Sequence, residues 1–384
     1  MWRQAEQLIN NEARTVLLLC KVQPSEDEIK EAHLLLGNPA FHYLQFFAYL
    51  MEHKVTMIVY RNLLAHSLHR HIPPKYMHMM DMFASGMEER NRILDMHLAP
   101  LFGLIRDRGI EAVLLKGAML RHSVYPTSGL RFSNDTDLLV QEKELQPIGK
   151  LLEEQGFIQG FYSYKTGVEP ASRQEVITKR LVTHEVVPFL KEVHHPMCKV
   201  VQVDINFDIF NRAKRMRTNF DTAALFDSTI PSSSALSSLR HEFNILQLSS
   251  HLYQDATMVQ GIRAHKDMEL IKFVDIYEYI RKFGESIDWD WLRAEIVQAG
   301  LQPVVFYSLY YMEYLMGSIV PESFMNSIAP DDRAYLDYYG VEEEKPIQWN
   351  RTFLERVFDS KRKLELLGLD KGELGESSKY FSIF

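Results

Sequence analysis

The chain contains the segment Arg131-Phe132-Ser133-Asn134-Asp135-Thr136-Asp137-Leu138-Leu139-Val140, in which two aspartates lead into an apolar run. The apolar run predicts a buried strand. Positions i and i+2 of a strand point to the same face, about 6.6 to 7 Å apart at Cα, so Asp135 and Asp137 are expected to project together. Two carboxylates on one face repel each other unless a positive charge lies between them. Because Mg²⁺ is commonly held by one or two carboxylates and substrate phosphates, the segment predicts a metal site. Two aspartates alone would more often flank a turn, so the prediction of a metal site depends on the neighbouring motifs.

A third acidic residue, Asp204, lies in the apolar segment Val200-Val201-Gln202-Val203-Asp204-Ile205-Asn206-Phe207. Apolar residues flank it on both sides, which predicts a strand of a sheet. An ionised carboxylate is costly to bury unless it is paired or bound to a metal. Asp204 is therefore expected to face a charged partner.

A possible phosphate site lies upstream, where the short apolar run Ala112-Val113-Leu114-Leu115 ends at Lys116-Gly117 and a helical pattern follows. A glycine at a helix N-terminus lets backbone N–H groups approach an anion closely. Lys116 would add a point charge for a phosphate. An ordinary strand–turn–helix with a solvent-facing lysine is the alternative, and without the aspartates it would be preferred.

These three motifs follow one another along the chain as an anion cradle, a carboxylate pair and a third carboxylate. That order suits metal-assisted phosphoryl transfer, in which cations activate the attacking hydroxyl and neutralise the triphosphate and the leaving pyrophosphate. Arg131 lies four residues before Asp135, and it is expected to reach a phosphate or to pair with the carboxylates. A weak surface salt bridge is the alternative for Arg131.

The hydrophobic periodicity predicts an α+β fold, in which a small mixed β-sheet core is flanked by helical regions. Residues 1–108 are expected to form an N-terminal helical region, residues 109–230 the α/β core, and residues 231–384 a C-terminal helical region. Within the core, Arg180 to Leu190 and Lys199 to Phe210 are predicted as two strands.

Three connecting segments have the composition of loops. His195-Pro196 predicts a turn between the two strands, and Pro231-Ser232-Ser233-Ser234 predicts a linker. The charge run Glu342-Glu343-Glu344 predicts a solvated loop.

Composition limits the classes of function. The formal net charge of −8 disfavours a protein that coats nucleic acid, although a local basic groove would still allow RNA binding. The two cysteines, Cys20 and Cys198, are too far apart for a disulfide framework or a zinc motif. The N-terminus lacks the pattern of a signal peptide, and no apolar run is long enough to span a bilayer. We therefore expect a cytoplasmic protein without a membrane partner.

The motifs resemble a bacterial nucleotidyltransferase family of the DNA polymerase beta-like superfamily, with the pattern L-K-G…Y-P…G-x-R…D-x-D-L-L-V. The matching residues are Leu115-Lys116-Gly117, Tyr125-Pro126, Gly129-Leu130-Arg131 and Asp135-Thr136-Asp137-Leu138-Leu139-Val140. Weaker matches follow at Val203-Asp204-Ile205-Asn206-Phe207, Leu248-Ser249-Ser250-His251, Phe273-Val274-Asp275-Ile276 and Phe353-Leu354-Glu355-Arg356-Val357-Phe358. Asn206-Phe207 replaces the His-Trp of the family, and Ala118 replaces a serine of the superfamily.

The resemblance implies Mg²⁺-dependent (or Mn²⁺-dependent) transfer of a nucleoside monophosphate from an NTP, with ATP as the first expectation. It implies that Asp135, Asp137 and Asp204 hold the metal. Lys116 and Gly117 would take the place of the phosphate-binding turn of the superfamily. The expected acceptor is a hydroxyl or phosphate of a small molecule or peptide.

Two other functions stay open from the sequence: a toxin-like nucleotidyltransferase that acts on tRNA, and a non-catalytic nucleotide-binding protein. The sequence also leaves open whether His184, His251 or Asp275 contacts a substrate. His184 is expected in the strand before Asp204, and His251 on an apolar helical face.

Overall fold

The computed structural model describes residues 9–210, 218, 220–232, 234–341, 345–359 and 361–368. The predicted loop at Glu342-Glu343-Glu344 lies outside the described residues. Within the described part of the chain, no helix combines the length and the apolarity that a membrane crossing needs.

Five α-helices precede the sheet in the described residues, within the region that the sequence predicts as helical. They are α1 (Asn11–Leu19), α2 (Glu26–Leu36), α3 (Tyr43–Glu52), α4 (Thr56–Ala65) and α5 (Pro74–Asp107). Ser25 and Glu28 form a capping box at the start of α2, where each side chain accepts from the other residue's backbone N–H. Pro74 starts the 34-residue helix α5 at the position where its missing N–H costs no hydrogen bond.

The sheet has eight strands in the order β4-β3-β5-β6-β2-β1-β8-β7. The strands are β1 (Ala112–Leu114), β2 (Thr136–Val140), β3 (Ile158–Ser163), β4 (Gly167–Pro170), β5 (Phe189–His195), β6 (Cys198–Asn206), β7 (Thr229–Ile230) and β8 (Ser237–Leu239). The pairs β2–β6 and β1–β8 are parallel and the other pairs are antiparallel, so the sheet is mixed. This arrangement places β2 and β6, which carry Asp137 and Asp204, side by side at the centre.

Between these strands, the described part of the chain contains three α-helices: α6 (Lys116–Ser123) after β1, α7 (Leu145–Glu154) after β2, and α8 (Arg173–Val182) between β4 and β5. The prediction of a strand from Arg180 to Leu190 is wrong for most of its length, because α8 runs to Val182 and β5 begins only at Phe189. Ser172 and Glu175 form a capping box that starts α8, a signal that the strand reading overlooked. The β3–β4 hairpin was also not predicted.

The turn at His195-Pro196 is confirmed, since β5 ends at His195 and β6 begins at Cys198. The serine-rich segment after Pro231 connects β7 to β8, so the sheet continues to Leu239. The division of the chain at residue 230 stays a prediction.

The C-terminal part is helical. It comprises α9 (His241–Thr257), α10 (Val259–Arg263), α11 (Leu270–Phe283), α12 (Trp289–Ala299), α13 (Gln302–Met316), α14 (Glu322–Ile328) and α15 (Phe353–Phe358). A two-stranded sheet of β9 (Tyr338–Tyr339) and β10 (Ile347–Gln348) lies between α14 and α15. Most buried apolar side chains of the N-terminal helices, the sheet and the C-terminal helices form one continuous core. The α+β fold class is therefore confirmed.

Candidate active site

A cavity of about 530 Å³ lies where the central strands meet α6, α9 and α11. Its wall includes all six residues predicted from the sequence as site residues, namely Lys116, Gly117, Arg131, Asp135, Asp137 and Asp204. Residues up to 88 positions apart in the chain, such as Lys116 and Asp204, thus share one cavity. The structure brings together what the sequence predicted as separate motifs.

The carboxylates are positioned by the pairing of two parallel strands. Asp137 of β2 lies directly opposite Asp204 of β6 in the register. Asp135 lies one residue before β2 begins and lines the same cavity. Apolar side chains next to these aspartates point to the other face of the sheet, where Leu138 and Val203 are fully buried. The alternation of polar and apolar residues therefore fixes the aspartates on the cavity side.

The electrostatics of this group indicate an excess of negative charge. Burial raises the pKa of Asp137 to about 6 against the lowering effect of Lys116, and the charge of Asp135 adds to the rise. Burial also raises the pKa of Asp204 well above its usual range, and the charges of Asp135 and Asp137 reinforce the shift. A cation placed among these side chains would relieve both the desolvation and the repulsion.

Lys116 supplies one internal positive charge. Its Nζ lies 3.0 Å from Oδ1 of Asp137, and both side chains are largely buried. The residue has a φ of 41°, a left-handed conformation that is uncommon outside glycine. The backbone N–H of Leu115 donates to the carbonyl of Asp137 at 3.0 Å, which holds the start of α6 against β2. Lys116 therefore faces a carboxylate in this structure instead of solvent.

Gly117 is required by close packing. A Cβ at this position would lie 2.6 Å from Oγ of Ser133, closer than real Cβ contacts come. Oγ of Ser133 donates to the carbonyl of Asp135 at 2.8 Å, so the space left by Gly117 admits the side chain that orders the Asp135 loop. Gly117 thus supports the carboxylate group directly, whether or not its N–H also meets an anion.

Arg131 pairs with a carboxylate, but with one that lies far away in the sequence. Its Nη2 and Nε donate to Asp275 of α11 at 2.7 and 2.9 Å. The hydroxyl of Tyr125 donates to the same carboxylate at 2.6 Å. Arg131 and Asp275 both line the cavity, so phosphate binding by Arg131 stays a prediction.

Glu185 is a further acidic residue of the cavity lining, and sequence reasoning missed it. Its Oε1 lies 2.5 Å from Nζ of Lys179, which is buried. Burial opposes its ionisation, but Lys179 and His184 lower the pKa of Glu185 to about 2. The signal was available, because Glu185 adjoins the apolar pair Val186-Val187 much as Asp204 adjoins its own apolar neighbours.

His184 and His251 both line the cavity. His184 lies in the connection between α8 and β5, so its predicted place in a strand is wrong. His251 lies on α9 with its Nε2 at 3.5 Å from Oδ2 of Asp255, and Asp255 is in turn held by Nζ of Lys272 at 2.5 Å. The apolar neighbours of His251 predicted a buried histidine, but its side chain reaches the cavity.

The donor set has the chemistry that a divalent cation requires. Asp135, Asp137 and Asp204 are oxygen ligands, and their shared negative charge favours Mg²⁺ over a neutral ligand. In the side-chain positions of this structure, no three His, Cys, Asp or Glu residues of the described chain lie close enough to hold one ion between them. The amide of Gln202 contacts both carboxylate oxygens of Asp204, and Lys116 contacts Asp137. Metal binding would therefore require these side chains to turn toward a common point.

Such an arrangement suits chemistry on a phosphorylated substrate. Buried carboxylates can gather a cation and its bound phosphates, while Lys116 and Lys266 supply positive charge on the walls of the same cavity.

Comparison with known proteins agrees with this chemistry. A family model described as an uncharacterised nucleotidyltransferase matches residues 39–317, which is more than half of the 384-residue chain. Searches of curated proteins and of solved structures each gave no match. The matched region contains every site residue named above. The chain therefore belongs to this nucleotidyltransferase family and is an enzyme of that class.

Proposed function

We propose that the protein transfers a nucleoside monophosphate from an NTP to a hydroxyl or phosphate of a small molecule or peptide, with Mg²⁺ as cofactor and pyrophosphate as the leaving group. One observation carries the proposal. Asp137 and Asp204 lie opposite each other on paired parallel strands, with Asp135 beside them, in a cavity that also contains the buried cation Lys116.

Asp135, Asp137 and Asp204 would hold the metal, which when bound neutralises the phosphates and polarises the phosphorus under attack. Lys116 neutralises one of these carboxylates in its present position and would be available to a phosphate once the carboxylate turns away. Gly117 keeps the Asp135 loop in place through Ser133. The side chains of Lys116 and Asp137 are largely buried, which strengthens the charge interactions between them relative to water.

ATP is the first NTP to test, since nothing in the cavity walls argues for another base. A small acceptor agrees with the cavity volume of about 530 Å³ and with the net charge of −8, which disfavours a long RNA. A purely nucleotide-binding role is less consistent with two carboxylates, Asp137 and Asp204, that burial in the same cavity makes costly to ionise.

Pyrophosphate release tests the proposal. The wild-type protein is incubated with Mg²⁺ and with ATP, CTP, GTP or UTP, and the products are separated. Asp135→Asn and Asp137→Asn should lower turnover at least about 100-fold, because each removes a charge that holds the cation. Asp107→Asn, a change at an exposed aspartate of α5, is the matched control and should leave turnover intact.

Isothermal titration with Mn²⁺ adds a readout that does not depend on the acceptor. The wild type should bind the ion more tightly than Asp137→Asn does. A wild-type protein that releases no pyrophosphate from any of the NTPs would contradict the proposal, as would an Asp135→Asn, Asp137→Asn double variant with full turnover.

A further inference from the structure

We propose that His251 is the general base that takes the proton from an acceptor hydroxyl, that Asp255 orients it, and that the acceptor group is a neutral hydroxyl. The inference rests on the proposed function and names one class among the acceptors that it allows.

The position of His251 is the first support. One face of α9 turns toward the cavity and presents Leu248, His251, Gln254 and Asp255 to it. About a third of the His251 side-chain surface remains open, although the residue lies on a helix whose other residues are mostly buried. A histidine that served only for packing would not keep a ring open to the reaction cavity.

The contacts of Asp255 are the second support. Nε2 of His251 lies 3.5 Å from Oδ2 of Asp255, one helical turn away, and the buried Lys272 holds that same oxygen at 2.5 Å. Gly261 lets the chain pass closely over Asp255, because a Cβ there would lie 2.1 Å from the carbonyl oxygen of Asp255. Asp255 is thus fixed from two sides. It can direct the Nε2–H of His251 and leave Nδ1 as the acceptor of a proton.

The charges around the ring keep it neutral, as a base must be. Burial lowers the pKa of His251 well below its usual value, and the charge of Lys116 on α6 lowers it further. Lys272 on α11 and Lys266 in the loop before it act in the same direction, while Asp255 opposes them.

The chemical step balances without any further reactant. The acceptor oxygen forms a bond to the α-phosphorus of the NTP as its proton moves to Nδ1 of His251. The bond from that phosphorus to the bridging oxygen breaks, and its electron pair leaves with pyrophosphate. A neutral hydroxyl needs such a base, whereas a phosphate acceptor is already ionised at neutral pH, so a base in this position points to a hydroxyl.

The test uses the full chain with ATP, Mg²⁺ and glycerol as a hydroxyl probe. The reaction is measured by the release of pyrophosphate and by the formation of adenylated glycerol. His251→Ala should lower kcat about 100-fold or more and change the KM for ATP by less than about threefold, because general bases contribute roughly 10²- to 10⁴-fold. Added imidazole should restore part of the lost rate. A role in packing alone would give no such rescue.

His241→Gln is the matched control, because His241 lies on the same helix but pairs with Tyr279 away from the cavity. It should keep the wild-type kcat and show no response to imidazole. Asp255→Asn should lower kcat less than His251→Ala does and should shift the acid limb of the kcat–pH profile. His251→Ala should lose that limb.

The outcomes separate the two proposals. A wild-type protein without pyrophosphate release overturns the proposed function. If the wild type turns over ATP and folded His251→Ala keeps its kcat within about threefold, His251 is not the base. If His251→Ala does not fold, the same measurements are made on His251→Gln, which keeps most of the side-chain volume, and the same criterion for kcat applies.

Discussion

Replacing Asp275 by alanine tests whether the buried contact with Arg131 holds the loop before β2 in place. Asp275 accepts hydrogen bonds from Arg131 at 2.7 and 2.9 Å and from Tyr125 at 2.6 Å. The two charged side chains are only 4% and 12% exposed, so water cannot replace the lost partner. Without Asp275, the guanidinium of Arg131 stays buried without its counter-charge, and the Tyr125 hydroxyl loses its acceptor.

The expected loss follows from these contacts. Breaking a buried ion pair by removing one partner costs about 3–5 kcal/mol. The hydroxyl left without an acceptor costs about 1–3 kcal/mol on its own, but the two effects share one site and do not simply add. A loss of about 3–5 kcal/mol is large against the roughly 5–15 kcal/mol that stabilises a typical domain.

Urea unfolding, followed by tryptophan fluorescence, measures this loss. Asp27→Ala is the control, because Asp27 and its partner Lys30 are exposed on α2, and the change should leave the midpoint within error. The double variant Arg131→Met, Asp275→Leu removes both charges together and should recover most of the stability that Asp275→Ala loses.

Two results would refute the reasoning. An Asp275→Ala protein within about 1 kcal/mol of wild type would mean that the pair is solvated or rearranged in solution. A double variant as unstable as the single one would mean that lost packing, rather than an uncompensated charge, dominates at this site.

Three further predictions concern other parts of the molecule. Gly160→Ala should destabilise the protein by about 1–3 kcal/mol in thermal unfolding, because the new Cβ would lie 2.1 Å from the carbonyl oxygen of Glu169. Gly103→Ala in α5 is the control: its Cβ would meet nothing within 4 Å, so this change should be neutral or stabilising. Burial lowers the pKa of His53 to about 3, so below pH 6.5 the unfolded chain binds a proton that the folded chain does not bind. The wild type therefore loses about 1.4 kcal/mol of stability per pH unit through this group between pH 6 and 4. His53→Leu should abolish that part of the loss, as measured by urea unfolding of both proteins across this pH range. Burial raises the pKa of Cys20 to about 12, and the side chain of Cys198 is buried as well. A thiol reagent at pH 8 should therefore label both cysteines only after the protein is unfolded. Fast labelling of the native protein would contradict the buried positions.

The local pattern sufficed for the elements with long periodic sequences. The sequence predicts helical regions before residue 108 and after residue 231, and the described residues there form α1 to α5 and α9 to α15, because apolar residues at helical spacing fit few other structures. The segment from Arg180 to Leu190 failed because its mixed apolar and polar residues fit a strand by composition. The capping box at Ser172 starts a helix there, and that helix runs to Val182.

For the site as well, local rules predicted some features and missed others. That Asp135 and Asp137 share a face follows from the two-residue period of a strand, and the costly position of Asp204 in an apolar strand followed from desolvation alone. Glu185 was not predicted, although its apolar neighbours Val186 and Val187 carry the same local signal as those of Asp204. It reaches the cavity because the chain bridges to Asn206 beside β6 after α8 ends.

The sequence by itself predicted the class of fold and the shared direction of Asp135 and Asp137, because helical and strand periodicity act between neighbours in the chain. The contact of Gly117 with Ser133 was decided by the tertiary structure. Only the tertiary structure decided the partners of the charged groups. Arg131 meets Asp275 across 144 positions, and Lys116 turns inward to Asp137. His251 reaches the cavity beside Asp255 and Lys272. The physical reason is that a buried charge is stable only beside a counter-charge, and the fold can bring that counter-charge from any part of the chain. The spacing of residues along the chain does not specify which charged groups come close in space.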